Sequence, residues 1–366
     1  MATDCNADSL SDAKAKAAFR RRLATWFGKN ARDLPWRRTR DPYRIWLSEV
    51  MLQQTTVAMA GPKFAAFVAA FPTVHDLAAA DEQQVLRLWE GLGYYRRACG
   101  LHAAARQIVV EHGGQLPHDV PTLMRLPGVG RYTAGAVASF AYDVSAPIVE
   151  TNTQRVLARL TGFRGEVSGG AGQRFLWSAA QSLLPAKGAG RFNLALMELG
   201  AVVCKPANPR CDLCPATMHC AAFALGLQQE IPRLAAKPTI TAVREAAVVV
   251  RKNGRVLLRQ RPKGERWEGM WDFPRFSLEA KRPRLVRDEL VAKVREQTGV
   301  EIEPGALLRS LKHGVTRFRI TLECYEARPV SGRIRSTADR PVRWTPHAEL
   351  SGLPLSVTAR KIANFI

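Results

Sequence analysis

Four cysteines lie close together near the middle of the chain and limit what this segment can fold into. They are Cys204, Cys211, Cys214 and Cys220, with the spacing C-x6-C-x2-C-x5-C. Four thiolates in so short a segment are typical of a metal centre, either zinc or a [4Fe–4S] cluster. Zinc ribbons usually pair two separated C-x-x-C hooks. This segment has one hook with a single cysteine on each side, so the pattern favours iron–sulfur. Zinc and a pair of structural disulfides remain as alternatives.

The chain is strongly basic. Lys and Arg outnumber Asp and Glu by 54 to 32 over 366 residues, which gives a formal net charge of +22. Such an excess favours a polyanionic partner, and nucleic acid is the first expectation. A solvated, arginine-rich surface without a partner is the alternative. The sequence contains no run of 18 apolar residues, so we expect no membrane partner.

The cysteines outside the central group, Cys5, Cys99 and Cys324, are scattered along the chain. Scattered, unpaired cysteines suggest a reducing compartment. The first residues show neither the basic stretch nor the apolar stretch of a signal peptide. We therefore expect a cytoplasmic protein, placed in the bacterial nucleoid if its polyanion is DNA.

The sequence predicts two domains of different kind. Residues 12–225 have a helical pattern with Pro or Gly at the breaks, and Asp41-Pro42 is a typical helix start. Residues 226–240 lack periodicity and indicate a linker. Residues 241–366 contain short runs rich in β-formers, a hairpin signal at Asn253-Gly254 and one helix candidate, Pro283–Thr298. The prediction is an all-α domain followed by a smaller α+β domain.

Two segments of the helical region indicate chemistry. Leu126–Arg131, with Gly128 and Gly130, would join two helices through a tight turn whose following amides can hold a phosphate. An ordinary helix C-cap is the alternative there. In Asp41–Thr55, Glu49 lies on a largely apolar helix face, where its pKa should be raised. Such a carboxyl suits a general acid, although a glutamate paired with a nearby arginine would have the same spacing.

These segments together resemble the MutY-type adenine DNA glycosylases of the helix-hairpin-helix, endonuclease III-like superfamily. The matching motifs are S-E-V-M-L-Q-Q-T at 48–55, L-P-W-R at 34–37, G-L-G-Y-Y at 91–95, the hairpin and the cysteine spacing, all in the family's order. The resemblance implies an all-α helix-hairpin-helix glycosylase domain with an iron–sulfur cluster loop at 204–220. It also implies site residues: Glu49 protonating adenine, Trp36 and Arg37 beside the adenine pocket, Gln53 and Gln54 at the duplex wedge, Leu92 and Tyr94 at the partner base, Gly128 and Gly130 at the DNA backbone, and the four cysteines on a [4Fe–4S] cluster.

Three positions differ from a related group of enzymes. Tyr132 differs from the bifunctional glycosylases, whereas Glu150 and Leu194 differ from the MutY-type pattern. Bifunctional glycosylases carry a lysine at the position of Tyr132, and a phenol cannot form a Schiff base, so the resemblance implies a monofunctional enzyme. The family's Asp that stabilises the cationic sugar is Glu150 here, whereas the Asn two residues later matches as Asn152. Leu194 stands where the family has Gln or Glu facing the adenine edge. We expect Tyr132 and Asn152 to orient Glu49 and the nucleophile.

The C-terminal region resembles the Nudix-like domain with which MutY-type proteins recognise 8-oxoguanine. Gly269–Pro274 matches the opening of that domain. A hydrolytic Nudix helix needs three carboxylates for magnesium, and Glu296 is the one that this chain keeps. We expect no pyrophosphate hydrolysis. His313 and Thr316 are the expected contacts to the lesion.

The resemblance implies an adenine DNA glycosylase of base excision repair. Its substrate would be double-stranded DNA with adenine opposite 8-oxoguanine or guanine, and the protein would act as a monomer. A thymine glycosylase or an AP lyase of the same fold is one alternative. A non-catalytic iron–sulfur DNA-binding protein is another, and the departures at Glu150 and Leu194 are the reason to consider it.

Overall fold

The computed structural model describes residues 10, 12–236 and 239–366. Cys5 and two residues of the predicted linker, 237 and 238, lie outside the described residues. The α-helices are α1 Ala13–Asn30, α2 Pro42–Leu52, α3 Val57–Ala70, α4 Val74–Ala79, α5 Glu82–Trp89, α6 Arg96–His112, α7 Val120–Leu123, α8 Arg131–Tyr142, α9 Thr151–Thr161, α10 Gly170–Leu183, α11 Ala189–Val202, α12 Ala221–Ala224, α13 Pro283–Thr298 and α14 Val357–Ala363. The strands are β1 Thr241–Lys252, β2 Arg255–Gln260, β3 Trp271–Asp272, β4 Arg275–Ser277, β5 Val300–Val315, β6 Phe318–Gly332 and β7 Val342–Pro346.

The chain forms two compact units. Among the described residues, the helical unit contains those up to Ala78 together with Ala103–Ala236, and the mixed unit contains Ala79–His102 together with those from residue 239 onward. The predicted order, helices first and a mixed α and β region after them, is confirmed. The segment with α5 and the start of α6 belongs to the mixed unit although it interrupts the helical sequence.

Well-defined helix ends position the functional residues of the helical unit. Helix α2 begins at Pro42, and the Asp41 side chain caps it by accepting a hydrogen bond from the Tyr43 amide at 2.9 Å. Nine of its eleven residues are apolar or small, the exceptions being Arg44 and Glu49, and eight of the eleven are buried. Helices α2 and α11 both pack against α8, the helix that follows the hairpin. This packing buries one carboxylate-bearing face of α2 next to the start of α8.

The mixed unit is built on one seven-stranded sheet with the order β3-β2-β1-β6-β5, to which β4 and β7 add at β1 and β2. Strands β1 and β6 pair in parallel, and the other pairs are antiparallel. Side chains of β1 alternate between two cores, with Ala246 and Val248 facing the α13 side and Ala247 and Val249 facing the α14 side. The turn Asn253-Gly254 joins β1 to β2 with positive φ at both residues, as its sequence predicts.

Candidate active site and DNA-binding surface

A cleft of about 1170 Å³ opens in the helical unit between α2, the hairpin, α8, α9 and α11. It collects every predicted catalytic and adenine-pocket residue and four of the predicted DNA contacts. The predicted residues that line it are Trp36, Arg37, Glu49, Gln53, Gln54, Gly128, Gly130, Tyr132, Glu150, Asn152 and Leu194. Residues that are up to 158 positions apart in sequence therefore share one cavity.

Glu49 is a buried acid in this cleft. It is 4% exposed, and the Tyr132 hydroxyl donates a hydrogen bond to its Oε2 at 2.5 Å. Burial raises the pKa of Glu49 to about 7, with the nearby charge of Glu150 adding to the rise, while the Tyr132 hydrogen bond and Arg37 oppose it. The expected rise of this pKa is confirmed. A carboxyl that holds its proton near neutral pH can donate it to a leaving group.

Glu150 is the second carboxylate of the cleft, and its orientation is fixed by the start of α9. It is the N-cap of that helix, where Oε2 accepts from the Asn152 amide and Oε1 from the Thr153 amide, each at 2.8 Å. The Thr153 hydroxyl accepts in return from the Glu150 amide at 2.8 Å, which completes a capping box. Burial raises the pKa of Glu150, whereas the two amide hydrogen bonds lower it. Each oxygen keeps further acceptor capacity toward the cleft.

Asn152 orients Glu150 through its main chain. Its amide N–H donates to Glu150, whereas its side-chain Oδ1 accepts from Arg155 Nη2 at 2.9 Å. Arg155 is itself buried and donates to the carbonyl oxygens of Gly200 and Cys204 at 2.9 and 2.7 Å. The side chain of Asn152 is therefore held between α9 and the end of α11, and its main chain supports the carboxylate.

Arg37 is paired with a residue that the sequence reasoning missed. Glu198 on α11 has a fully buried side chain, and it accepts from Arg37 Nη2 at 2.7 Å and from Arg32 Nε and Nη2 at 2.7 and 2.9 Å. Burial alone would raise the pKa of Glu198, but the hydrogen bonds from Arg32 and Arg37 outweigh burial and lower this pKa to about 2. The signal was available: α11 is otherwise apolar around Glu198, as α2 is around Glu49.

Apolar side chains form the walls of the cleft. Trp36 is 6% exposed and packs edge-on against Phe64, with ring centroids 5.5 Å apart. Leu194 lines the cleft and packs against the core of the helical unit. The position therefore contributes an apolar contact and no hydrogen bond, as its sequence implies.

The hairpin has the geometry of a backbone-binding turn. Gly128 has φ +74°, so this position favours glycine, and Gly130 is the N-cap of α8 with an extended φ of −90°. Only the first glycine is needed for its backbone conformation. A Cβ added at Gly130 would meet no atom of the described residues within 4 Å, so this side of the turn is open to an approaching backbone. Arg131 follows, with its guanidinium carbon 3.9 Å from the Trp177 ring centroid.

Gln53 and Gln54 differ in their surroundings. Gln53 Nε2 donates to the Thr133 hydroxyl at 3.1 Å, which ties the end of α2 to α8. Gln54 is exposed and has φ +55°, the left-handed conformation. Gln54 is the one of the two whose side chain is presented at the surface.

The four cysteines lie beside α9 at the edge of the helical core. Cys204, Cys214 and Cys220 pack against this core, and the charge of Cys204 influences the pKa of each of the other three thiols. Arg159 Nη1 donates to Cys204 Sγ at 3.3 Å. Among the residues that the structure describes, no set of three or more Cys, His, Asp or Glu side chains has a metal-binding arrangement. An all-thiolate donor set with a buried cation beside it nevertheless has the chemistry of an iron–sulfur site.

Comparisons with known proteins identify the families that the two regions of the chain match. Residues 47–178 match the HhH-GPD superfamily of base excision DNA repair proteins, and residues 245–364 match the NUDIX domain. Adenine DNA glycosylase of Rattus norvegicus is 32% identical over 405 residues, which cover 96% of this chain and 78% of the rat protein. The chain belongs to the adenine DNA glycosylase family.

Two further matches each cover a little more than half of the chain. Adenine DNA glycosylase of Mycolicibacterium smegmatis is 46% identical over 199 residues, covering 54% of this chain and 67% of that protein. A solved structure of a thermostable thymine-DNA glycosylase superposes with a TM-score of 0.52 at 29% identity, covering 58% of this chain and 99% of the other. The glycosylase fold of this chain is thus similar to that of an enzyme named for a different base, thymine.

The remaining predicted DNA contacts belong to the mixed unit. Leu92 is 4% exposed, so its side chain lies in the core and is not presented to a base. Tyr94 is 50% exposed with φ +46° and is the residue of this loop that is available at the surface. The expected contact through Leu92 stays a prediction, and in this structure its side chain is buried whereas that of Tyr94 is exposed.

The predicted lesion contacts lie on the β5–β6 hairpin of the family's Nudix-like fold. Thr316 is exposed in the two-residue turn with φ +50°, and its hydroxyl donates to the Val315 carbonyl at 2.8 Å. His313 is half-buried, 3.2 Å from Arg275 Nη2, and burial lowers its pKa to about 4, with Arg275 contributing. His313 is thus neutral at physiological pH. On α13, Glu296 pairs with Lys293 at 2.9 Å.

No helix in the described part of the chain is long and apolar enough to cross a bilayer.

Proposed function

We propose that this chain is a monofunctional adenine DNA glycosylase that removes adenine opposite 8-oxoguanine or guanine in double-stranded DNA. The observation that carries the proposal is the buried Glu49, hydrogen-bonded to Tyr132 in the same cleft as Glu150. Two carboxyls in different environments suit the two tasks of glycosidic cleavage. Glu49 would donate the proton, and the Glu150 carboxylate would stabilise the cationic sugar. Membership of the adenine DNA glycosylase family supports adenine as the base that is removed. The net charge of +22 supports a polyanionic substrate.

The proposed reaction starts from a flipped adenine, because the glycosidic bond is unreachable in the stacked duplex. Glu49 gives its proton to a ring nitrogen of adenine while the bond between C1′ and the base breaks. Glu150 stabilises the positive charge that develops on the sugar. Water then adds to C1′ and releases a proton, and Glu49 regains one from solvent.

Trp36, Arg37 and Leu194 would hold the base, and Arg37 would itself be held by Glu198. Gln54 would enter the duplex. The hydrogen bond from Gln53 to Thr133 would hold the main chain next to Gln54 against α8. Gly128, Gly130 and Arg131 would hold a phosphate of the damaged strand. Because Tyr132 cannot form an imine, the strand should stay intact after base release.

We further propose that Cys204, Cys211, Cys214 and Cys220 bind a [4Fe–4S] cluster. The thiolate donor set and the Arg159 guanidinium beside Cys204 support this assignment. When bound, the cluster would organise the loop that presents the exposed Lys205 and Arg210 to the DNA backbone. In this proposal the cluster would support the fold of the loop, and the side chains of the cleft would carry out base excision.

The C-terminal fold would recognise 8-oxoguanine through Thr316, with His313 as a neutral neighbour. Tyr94, which lies earlier in the chain, would add a second surface contact. We propose a glycosylase domain at 12–225, a linker at 226–240 and a lesion-recognition domain at 241–366. The protein would act as a monomer in the bacterial nucleoid. The loss of two of three Nudix carboxylates from α13 argues against pyrophosphate hydrolysis.

Single-turnover base release tests the proposal directly. Duplexes with adenine opposite 8-oxoguanine, guanine or cytosine would be incubated with excess protein, then divided and analysed with and without alkali. We expect release from the first two, with strand breaks after alkali treatment only. Breaks without alkali would identify a lyase, thymine release from a G:T duplex would identify a thymine glycosylase, and tight binding without release would identify a non-catalytic protein.

A further inference from the structure

Helix α5 is attached to the C-terminal fold inside the mixed unit. Gln83 Nε2 donates to the Gly269 carbonyl at 3.1 Å, and Arg87 Nε donates to the Ser351 carbonyl at 3.0 Å. Both acceptors are main-chain atoms of the Nudix-like fold. The helix that precedes the Gly91–Tyr95 loop therefore has fixed contacts along its length.

The last of these contacts is an ion pair between Glu90 and Arg360. Arg360 lies on α14 and donates from Nε and Nη2 to the two Glu90 oxygens at 2.8 and 3.0 Å. The Glu90 side chain is 10% exposed and that of Arg360 is 20% exposed, so solvent screens the pair weakly. The same guanidinium also donates to the Leu350 and Leu353 carbonyls at 2.5 and 2.6 Å. The Arg360 guanidinium is held by two carbonyl groups, and it binds both oxygens of Glu90. This bidentate contact therefore defines the position of Glu90 closely.

Glu90 comes directly before a loop with an uncommon backbone. Gly91, Gly93 and Tyr94 have φ of +94°, +69° and +46°. Tyr94 is the non-glycine member of this set, and a left-handed conformation persists at such a residue only when its surroundings impose it. On the far side of the loop, Arg97 Nη2 donates to the Leu92 and Gly93 carbonyls at 2.9 and 3.1 Å. The loop is thus held at both ends, by Glu90 before it and Arg97 after it.

We propose that the Glu90–Arg360 ion pair is a positioning device through which the C-terminal fold sets the conformation of the Gly91–Tyr95 loop and the presentation of Tyr94. Discrimination between 8-oxoguanine and guanine then depends on two residues that contact neither base. This inference rests on the proposed function, which assigns the loop to the partner base. Removing Arg360 leaves the mostly buried Glu90 paired with the more exposed Arg87 at 3.1 Å, and removing Glu90 leaves the Arg360 guanidinium with carbonyl partners but without that carboxylate. Either change loosens the start of the loop.

The test compares Arg360→Met, Glu90→Gln and the double variant with the wild type in the full-length chain. The readout is the ratio of single-turnover rates on adenine opposite 8-oxoguanine and opposite guanine. We expect each single variant to lower this ratio about five- to ten-fold, mainly through the rate on the 8-oxoguanine duplex. The double variant should lose no more than either single variant, because both act through one pair. The matched control is Arg328→Met, which removes the exposed ion pair with Glu303 on the same fold and should leave the ratio unchanged.

A second measurement does not depend on activity. Amide hydrogen exchange of Gly91, Leu92 and Gly93 should accelerate about ten-fold in Arg360→Met, with Arg360→Lys intermediate and Arg328→Met unchanged. If exchange and the rate ratio both stay at wild-type values, or if the two single effects multiply in the double variant, the inference is overturned. A wild type without preference for 8-oxoguanine would instead contradict the proposed function, and the exchange result would still decide whether the pair positions the loop.

Discussion

The Tyr132 hydroxyl lies 2.5 Å from Glu49 Oε2 and is the donor in this hydrogen bond. Burial, together with the charges of Glu49 and Glu150, raises the pKa of Tyr132 well above its ordinary value, so the phenol keeps its proton. Because Oε2 accepts from Tyr132, the acidic proton of Glu49 belongs on Oε1. Tyr132 thereby fixes which oxygen of the acid is offered to a base in the cleft, and this relationship leads to the first two predictions.

Glu49→Gln should abolish base release and keep duplex binding. The amide retains the shape and the hydrogen bond to Tyr132 but has no acidic proton, and general acid catalysis is worth about 10² to 10⁴ in rate. Single-turnover base release and equilibrium binding to the same duplex measure the two effects. Asp33→Asn, which removes an exposed carboxylate of the same unit, is the control and should leave both unchanged. Turnover near that of the wild type would exclude Glu49 as the acid.

Tyr132→Phe should move the alkaline limb of the rate profile to higher pH. The wild-type rate should fall above pH 7, because the acid must be protonated and its pKa is about 7. The Tyr132 hydrogen bond lowers that pKa, so its removal raises the pKa and extends the active range, while the plateau rate falls through lost orientation. Single-turnover rates between about pH 5.5 and 9 would show the shift. An unmoved limb would mean that another group sets the profile.

Sequence patterns predicted this site because its chemistry is carried by short segments. The α2 motif, the hairpin and the α9 N-cap each place a polar group at a helix end or on a helix face, where local rules apply. The apolar neighbours of Glu198 on α11 were a local signal for a buried carboxylate, but its partners Arg32 and Arg37 lie more than 160 residues away, and that pairing has no local signature. The burial of Leu92 beside an exposed Tyr94 was likewise not predicted, since a loop motif does not reveal which of its side chains pack into the core.

The C-terminal fold was predicted unevenly for similar reasons. Helix α13 was predicted with its observed bounds, Pro283–Thr298, because proline at its start and Gly299 after its end are local signals. Strand β5 was not predicted. Much of it is exposed, it contains Pro304 and Gly305, and its register shifts near these residues. Its strand conformation comes from pairing with β6 and not from a hydrophobic pattern of its own.

Glu198→Gln should destabilise the protein and impair base release. Glu198 satisfies two guanidinium groups at a fully buried position, and removing one partner of a buried ion pair costs about 3 to 5 kcal/mol. Urea unfolding at neutral pH measures the loss. Arg38→Met breaks the exposed Asp33–Arg38 pair in the same segment and should leave the unfolding midpoint nearly unchanged. Equal effects in the two variants would show that the buried site carries no special weight.

The purified chain should contain about four irons, as expected for one [4Fe–4S] cluster. Iron and sulfide analysis of anaerobically prepared protein, with the visible absorption spectrum, measures this content. Cys214→Ser removes one of the four proposed ligands and should lower the iron content and the duplex affinity together, whereas Cys324→Ser, a buried cysteine of the other unit, should change neither. Stoichiometric zinc without iron would overturn the cluster assignment.

Thr316 should carry a measurable share of lesion preference. Thr316→Ala removes the hydroxyl at the tip of the β5–β6 hairpin, and a good hydrogen-bonded base contact is worth about 1 to 3 kcal/mol of discrimination. We expect the ratio of rates on the 8-oxoguanine and guanine duplexes to fall about ten-fold. Thr316→Ser keeps the hydroxyl at the same backbone position and should keep most of the ratio. A loss of equal size in both variants would point to the methyl group or to the turn.

Removal of residues from 241 onward should lower the same ratio further than Thr316→Ala does. The truncation removes Thr316 and His313 and, with Arg360, the anchor of Glu90, while every predicted catalytic residue lies before Cys220. The rate on adenine opposite guanine should therefore fall less than the rate on adenine opposite 8-oxoguanine. Circular dichroism would first verify that the helical unit of the truncated chain is folded. If the folded, truncated chain kept the wild-type ratio, Gln54 and Tyr94 would have to recognise the lesion without the C-terminal fold.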